Sequence, residues 1–267
     1  MRLSISHRTS YHYDEPPAAA LQELRLAPRR GASQDVLSWD VAVDGGKVEV
    51  EFSDHHANPV QLISLTPGTN TVIIRCEGEV DTIDTGGVIT HHAGFAPLWL
   101  YLRQTTLTKP GAGLVALLAD FDAATTDDPV ARMHELSSHV AARITYDAGW
   151  THAASTAEES IAAGHGVCQD HAHVFMAAAR QLDVPARYVS GYLFTPGNEA
   201  DGAMHAWAEV WIDDLGWVGF DVSNGICPDE HYVRVAVGLD YWEAAPIRGV
   251  RFGDANEEMD VSLQVQQ

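Results

Sequence analysis

The periodicity of the sequence changes after about residue 110, and this change restricts the folds that the chain can adopt. Before it, apolar residues alternate with polar ones, as in Lys47-Val48-Glu49-Val50-Glu51-Phe52, and turns rich in Gly or Pro separate the segments. Such alternation is typical of β-strands that bury only one face. The first 110 residues therefore predict short antiparallel strands arranged as a sandwich.

Helical spacing follows the run Lys109-Pro110-Gly111-Ala112-Gly113. Asp128-Pro129 predicts a helix start, because Asp caps a helix and Pro is tolerated in its first turn. The run Ser155-Thr156-Ala157-Glu158-Glu159 holds two overlapping capping boxes, which predict the start of a second helix. Gly164 is suited to end that helix, because Gly adopts a left-handed backbone without strain.

A third helix is predicted to begin at Cys168, within Gly164-His165-Gly166-Val167-Cys168-Gln169. Cys168 starts an apolar seam at helical spacing, which continues through Phe175 and Leu182. Three strand-like segments follow at residues 186–194, 204–212 and 217–222, and the last two are separated by a turn of hairpin length.

The position of Cys168 suits a nucleophile. A thiol attacks carbonyl groups as the thiolate, and the free N–H groups at a helix N-terminus favour a negative charge there. Gly164 and Gly166 allow main-chain N–H groups to approach a substrate. The N–H of Cys168 is a natural donor to an oxyanion, and the side chain of Gln169 is a second candidate.

His205 and Asp221 complete a nucleophilic arrangement. His205 lies 37 residues after Cys168, at the start of one predicted strand, and Asp221 lies near the end of the next. A hairpin would bring the two side chains level, so that Asp221 orients His205 and His205 activates the thiol. The sequence thus predicts a catalytic triad.

Four blocks in this order resemble the transglutaminase-like cysteine proteases of bacteria. The blocks run over residues 166–173, 185–192, 205–211 and 216–221. The resemblance implies a papain-like core, an accompanying β-rich N-terminal region, and a triad on Cys168, His205 and Asp221. It also implies cleavage of amide bonds without a cofactor. The chain departs from the family at His171, where Phe is usual, and at Val222-Ser223, where Pro-Thr is common.

We therefore predict an α+β fold with a transglutaminase-like core and a sandwich-like N-terminal region. The predicted units are residues 1–112, the β-rich N-terminal region, and residues 113–267, the core. A peptide or protein amide is the expected substrate. Hydrolysis is favoured, while transfer to an amine, as in a transglutaminase or an arylamine acyltransferase, and non-catalytic peptide binding remain alternatives.

Composition restricts the partners and the compartment. The chain has 37 acidic and 16 basic residues, and this net charge of −21 repels nucleic acids and anionic membranes. The remaining cysteines, Cys76 and Cys227, make no disulfide framework with Cys168 and suit a reducing compartment. No signal peptide or apolar span is evident, so a cytoplasmic protein is expected. The oligomeric state cannot be read from the sequence.

Several residues near the predicted triad have two possible interpretations, one functional and one structural. Trp150 and Trp207 are candidates for the wall of the cleft, although packing in the core is an alternative for both. The histidines around Cys168 raise the question of a metal, but two of them lie two positions apart on a helix and would face different ways. We expect no metal and no organic cofactor. These histidines are His165, His171 and His173.

Overall fold

The computed structural model of the chain describes residues 1–90, 92–121, 126–197, 204–253 and 255–267. The N-terminal part contains strands β1 (Arg2–Tyr13), β2 (Ala19–Leu24), β3 (Gln34–Asp44), β4 (Gly46–Ser53), β5 (Pro59–Leu65) and β6 (Thr71–Thr82). The middle contains β7 (Val88–Ile89), a 3-10 helix (Leu98–Leu102), α1 (Ala112–Ala119), α2 (Pro129–Arg143), β8 (Thr145–Tyr146), α3 (Ala157–Ala163), β9 (His165–Gly166) and α4 (Cys168–Gln181). The last part contains β10 (Ala186–Leu193), β11 (His205–Ile212), β12 (Gly216–Phe220), β13 (Tyr232–Gly238), α5 (Tyr241–Ala244), β14 (Ile247–Phe252) and β15 (Glu257–Gln266).

The N-terminal strands form two antiparallel sheets with the orders β15-β1-β6-β3 and β14-β2-β5-β4. Alternate residues of β1 are buried, as the sequence pattern predicts. Side chains from both sheets share one apolar cluster, in which Tyr13 and Ile74 of the first sheet meet Leu24 and Ile63 of the second. The two sheets therefore pack face to face, and the predicted sandwich is confirmed.

The core combines helices with a five-stranded sheet of order β13-β10-β11-β12-β7. Helix α4 packs against β11, and α2 and α3 pack against α4. Ala177, Ala178 and Ala179 of α4 are fully buried, and these small side chains let the helix approach the sheet closely. This mixed architecture of helices, a core sheet and antiparallel N-terminal sheets agrees with the predicted α+β fold class.

The predicted helix ends are confirmed by their hydrogen bonds. The carboxylate of Asp128 accepts from the N–H groups that begin α2. Of the two overlapping capping boxes, Thr156 with Glu159 is the one that forms at the start of α3. Gly164 ends α3 with a positive φ of 70°. Among the described residues, no helix is both long enough and apolar enough to cross a lipid bilayer.

The last two strands return to the N-terminal sheets. Strand β14 pairs with β2, and β15 pairs with β1 over its length, from Ser4 opposite Gln266 to Tyr13 opposite Glu257. In the other direction, β7 adds to the core sheet beside β12. The predicted division at residue 112 stays a prediction. Backbone hydrogen bonds join the two predicted units where β14 and β15 pair with β2 and β1, and again where β7 pairs with β12. This exchange of strands brings β1 and β15 against the core.

Candidate active site

A tight turn between α3 and α4 positions Cys168. Backbone bonds join Thr145 and Tyr146 of β8 to His165 and Gly166 of β9 in parallel, and Cys168 then begins α4. A Cβ on Gly166 would lie 2.6 Å from the Cβ of Asp170, which is too close for any other residue without a shift. Gly166 thus lets the turn pack against the first turn of α4, while its predicted role in bringing main-chain N–H groups to a substrate stays a prediction.

Asp170 fixes this turn, and the sequence analysis missed its role. Its buried carboxylate accepts hydrogen bonds from the N–H of Val167 at 2.7 Å, from the hydroxyl of Thr151 at 2.7 Å and from the hydroxyl of Ser160 at 2.8 Å. An Asp three residues after the turn is a recognisable capping signal. The two hydroxyl donors come from separate segments, so the sequence offers no local signal for them.

His205 and Asp221 meet as predicted. Strands β11 and β12 pair with Ala208 opposite Phe220, so the two residues lie at the same end of the hairpin. Nε2 of His205 donates to Oδ2 of Asp221 at 2.5 Å. His205 and Cys168 line the same cavity, and the Cys168 side chain lies near enough to raise the pKa of the His205 ring. The structure therefore brings the three predicted triad residues together.

Asp221 is held by donors that the sequence analysis did not identify. Its Oδ2 accepts from the hydroxyl of Tyr232 and from the side-chain amide of Asn224, each at 2.7 Å. Its Oδ1 accepts from the hydroxyl of Ser223 at 2.7 Å and from the N–H of Asn224 at 3.1 Å. Thus Ser223, which departs from the family pattern, still binds the carboxylate.

The electrostatics of the pair favour charges on both partners. Burial alone would raise the pKa of Asp221, but hydrogen bonds from His205, Ser223 and Tyr232 lower it to about 2. Burial would likewise lower the pKa of His205, but its interactions with Asp221 and Cys168 outweigh burial and raise it to about 10. At neutral pH the imidazole of His205 is therefore protonated.

A cavity of about 380 Å³ opens beside Cys168 and His205. Gln169 also lines it, but its side-chain amide donates to the carbonyl oxygen of Ala153 at 3.1 Å. Its predicted part in binding an oxyanion stays a prediction. The cavity has walls from the core and from the N-terminal sandwich, because β1, β14 and β15 all contribute residues to it.

Trp150 and Trp207, the two predicted wall residues, do not line this cavity. Trp150 is 60% exposed and stacks on His165, with ring centroids 4.8 Å apart. Trp207 is buried edge-on against Tyr232, with its ring centroid 6.4 Å from that of His205. Neither side chain lines the cavity at Cys168. For Trp207, packing in the core behind His205 is what the structure shows.

His171, the other departure from the family pattern, binds main-chain groups. Its Nδ1 contacts the carbonyl oxygen of Val167 at 2.9 Å, and its Nε2 contacts that of Ile144 at 3.0 Å. Carbonyl oxygens only accept hydrogen bonds, so the ring nitrogen that carries the proton donates to one of them, and the other nitrogen lies against the second. His171 thereby ties the start of α4 to the end of α2.

The described residues contain two groups whose side chains lie close enough to share a metal ion. One consists of His55, His56 and Glu243, and the other of Asp229, Glu230 and His231. Neither group includes a histidine from the neighbourhood of Cys168. His173 instead accepts a hydrogen bond from the N–H of Tyr241 at 3.1 Å.

Two known family models match this chain. Residues 117–222 match the transglutaminase-like superfamily, and residues 3–81 match the bacterial transglutaminase-like N-terminal region. The chain combines a transglutaminase-like core with a bacterial transglutaminase-like N-terminal region. The family resemblance that the sequence blocks indicated is thereby confirmed. The core match contains Cys168, His205 and Asp221.

Individual proteins extend the comparison. The chain is 26% identical over 280 residues to the uncharacterized protein ML0607 of Mycobacterium leprae, which covers 99% of this chain and 98% of that protein. The crystal structure of a proposed cysteine protease from Cytophaga hutchinsonii has the same fold, with a TM-score of 0.78 and 22% identity over 100% of this chain and 91% of that one. A protein-glutamine gamma-glutamyltransferase of Pseudomonas aeruginosa is 28% identical over 102 residues, which cover 33% of this chain and 15% of that protein.

Proposed function

We propose that the protein is a thiol-dependent amide hydrolase that uses Cys168 as its nucleophile. The observation that carries the proposal is the arrangement of Asp221, His205 and Cys168, in which Asp221 hydrogen-bonds to His205 and His205 shares an open cavity with Cys168. Such an arrangement is what nucleophilic catalysis by a thiol requires. Peptide or protein amides are the proposed substrates.

In the first half of the reaction, the Cys168 thiolate attacks the carbonyl carbon of the amide. The N–H of Cys168, free at the start of α4, stabilises the oxyanion that forms. As the C–N bond breaks, the His205 imidazolium gives its proton to the leaving amine. The products of this half are a free amine and a thioester on Cys168.

In the second half, neutral His205 takes a proton from water, which attacks the thioester carbonyl. The C–S bond then breaks, the acid leaves, and the Cys168 thiolate and the His205 imidazolium are restored. Asp221 keeps Nε2 of His205 engaged throughout, so the opposite side of the ring stays directed at the thiol. No metal or organic cofactor enters these steps.

The test is to trap the thioester. The protein is incubated with a library of peptide amides and isopeptides, quenched in acid and examined by intact-mass spectrometry. We expect an acyl adduct on Cys168 and release of the amine, and both should disappear in Cys168→Ala. Amide turnover that persists in Cys168→Ala would contradict the proposal.

Transfer of the acyl group to an amine is the second candidate. It is supported by the likeness of 33% of the chain to the gamma-glutamyltransferase of Pseudomonas aeruginosa. In this case an amine, rather than water, attacks the thioester. Adding a labelled primary amine to the same incubations separates the two candidates, because label in the product indicates transfer and unlabelled acid indicates hydrolysis.

A further inference from the structure

The cavity at Cys168 has an apolar lining from two separate parts of the fold. The core contributes residues from β10, β11 and α5, while the sandwich contributes residues from β1, β14 and β15. None of the described residues that line it is Lys, Arg, Asp or Glu. Its main apolar side chains are Tyr188, Met204, Tyr241, Ile247, Met259 and Val261.

Some of the polar groups in the lining are engaged within the protein. The two ring nitrogens of His7 hydrogen-bond to the hydroxyl of Tyr192 at 3.0 Å and to that of Thr9 at 3.2 Å. Burial lowers the pKa of His7 to about 4, so the ring is neutral at physiological pH. The hydroxyl of Ser190 donates to the carbonyl oxygen of Ala244 at 2.7 Å. Apart from His205, the described lining offers no charged side chain to a group that loses its water on entering.

Apolar surface remains open on the β15 side of the cavity. Met259 is 60% exposed and Val261 is 44% exposed, and both line the same cavity as the proposed nucleophile. A ligand that covers them removes apolar area from water, which is favourable. An apolar side chain would gain from this burial, whereas a charged side chain would also lose hydration.

We propose that this cavity binds a bulky apolar side chain on the acyl side of the scissile amide, and that strands β1 and β15 thereby select the substrate. The proposal rests on the proposed function of Cys168 and names its substrate class, namely peptides with Leu, Met or Phe near the carbonyl that is attacked. The N-terminal region is then part of the specificity of the enzyme.

The first experiment uses peptide chloromethyl ketones that differ only in the first or second residue on the acyl side, which is Leu, Phe, Lys or Glu. The rate of labelling of Cys168 is followed by mass spectrometry. We expect the Leu and Phe reagents to react at least about tenfold faster than the Lys and Glu reagents at one of the two positions, as differences in apolar burial typically give. Equal rates at both positions would overturn the proposal.

The second experiment changes the wall and compares it with a matched site. Val261 in β15 and Val50 in β4 are both valines on edge strands of the sandwich, exposed by 44% and 46%. Only Val261 lines the cavity. Val261→Lys should shift the ratio of Leu to Glu labelling rates by about tenfold towards Glu, while Val50→Lys should leave it unchanged.

The two proposals fail in different ways. If Cys168 hydrolyses amides but neither the reagents nor Val261→Lys reveal a preference, the apolar subsite is wrong and the hydrolase proposal stands. If no amide is turned over and labelling of Cys168 does not depend on His205, both proposals are wrong. A shift of the ratio in Val50→Lys as large as that in Val261→Lys would assign the effect to surface charge and would also overturn the subsite.

Discussion

Strand β11 carries two buried charge clusters that differ in what they leave open. At its start, His205 pairs with Asp221 and also reaches Cys168 at the cavity. Four residues later, Glu209 is fully buried between two arginines, with contacts of 2.6 Å to Arg187 and 2.8 Å to Arg234.

The second cluster is satisfied by its own members, and Glu209 and Arg234 line only a small pocket of about 20 Å³. Both oxygens of Glu209 are occupied by guanidinium groups, and Trp217 lies 3.8 Å from the guanidinium carbon of Arg187. Burial would raise the pKa of Glu209, but the two arginines outweigh burial and keep it low. The comparison indicates that Glu209, whose charge is matched by two arginines, stabilises the fold. His205, which also lines the large cavity at Cys168, is available for chemistry.

The largest expected effect is the loss of activity when His205 is replaced. His205→Gln should reduce amide turnover by about 10³-fold or more, because it removes both the acid and the base of the reaction. It should also slow alkylation of Cys168 by iodoacetamide at pH 6, since the thiolate loses its imidazolium. Circular dichroism serves as the control for folding. Alkylation at the rate of the unsubstituted protein would contradict the thiolate–imidazolium pair.

Substitution in the Glu209 cluster should change the free energy of unfolding instead. Glu209→Gln leaves two buried guanidinium groups without their carboxylate, and we expect a loss of about 3–5 kcal/mol in the free energy of unfolding. Urea denaturation measures it. Glu77→Gln, at an exposed position of β6, is the control and should change little. A Glu209→Gln protein as stable as the control would show that the cluster contributes nothing.

The pH dependence of stability distinguishes the clusters further. The pKa of His205 is raised from 6.5 to about 10, so its stabilisation is complete below pH 6.5 and is lost as the pH rises towards 10. The loss should reach a few kcal/mol at most, since one pKa unit corresponds to about 1.4 kcal/mol. We expect unfolding free energy to decline between pH 6.5 and 10 in the unsubstituted protein. The decline should be shallower in His205→Gln.

The smallest predicted effect concerns His171, a buried imidazole whose contacts are all internal. His171→Phe restores the residue usual in the family but removes the polar contacts of the ring with the carbonyl oxygens of Val167 and Ile144, and should cost about 1–3 kcal/mol of stability in urea denaturation. His139→Phe is the control, because His139 is only half-buried and contacts one carbonyl oxygen, that of Leu117. A loss in His171→Phe no larger than that in His139→Phe would contradict the role of His171 in tying α4 to α2.

Local signals account for what was predictable. Asp128, Thr156 and Gly164 act over a few residues of chain, so the sequence pattern reveals the ends of α2 and α3. The hairpin of β11 and β12 is likewise local, and its short turn brings His205 level with Asp221. The arrangement of the proposed triad could therefore be read from spacing and family resemblance.

Contacts between distant segments could not be read in this way. Tyr232 binds Asp221 from a different strand, and Thr151 and Ser160 bind Asp170 from outside α4. Neither Trp150 nor Trp207 lines the cavity, although Trp207 lies two residues after His205 on the same strand. A side chain's direction depends on packing from all sides, and spacing along one segment does not specify it.

The sequence by itself determined the two periodicities, the capped helices, and the order of Cys168, His205 and Asp221. These features depend on neighbours within a turn or a hairpin. Only the tertiary structure decided that β15 pairs with β1 and that the sandwich walls the cavity at Cys168. Pairing between the two ends of the chain depends on which surfaces remain to be buried once the sheets and helices have formed, and no local pattern records that choice.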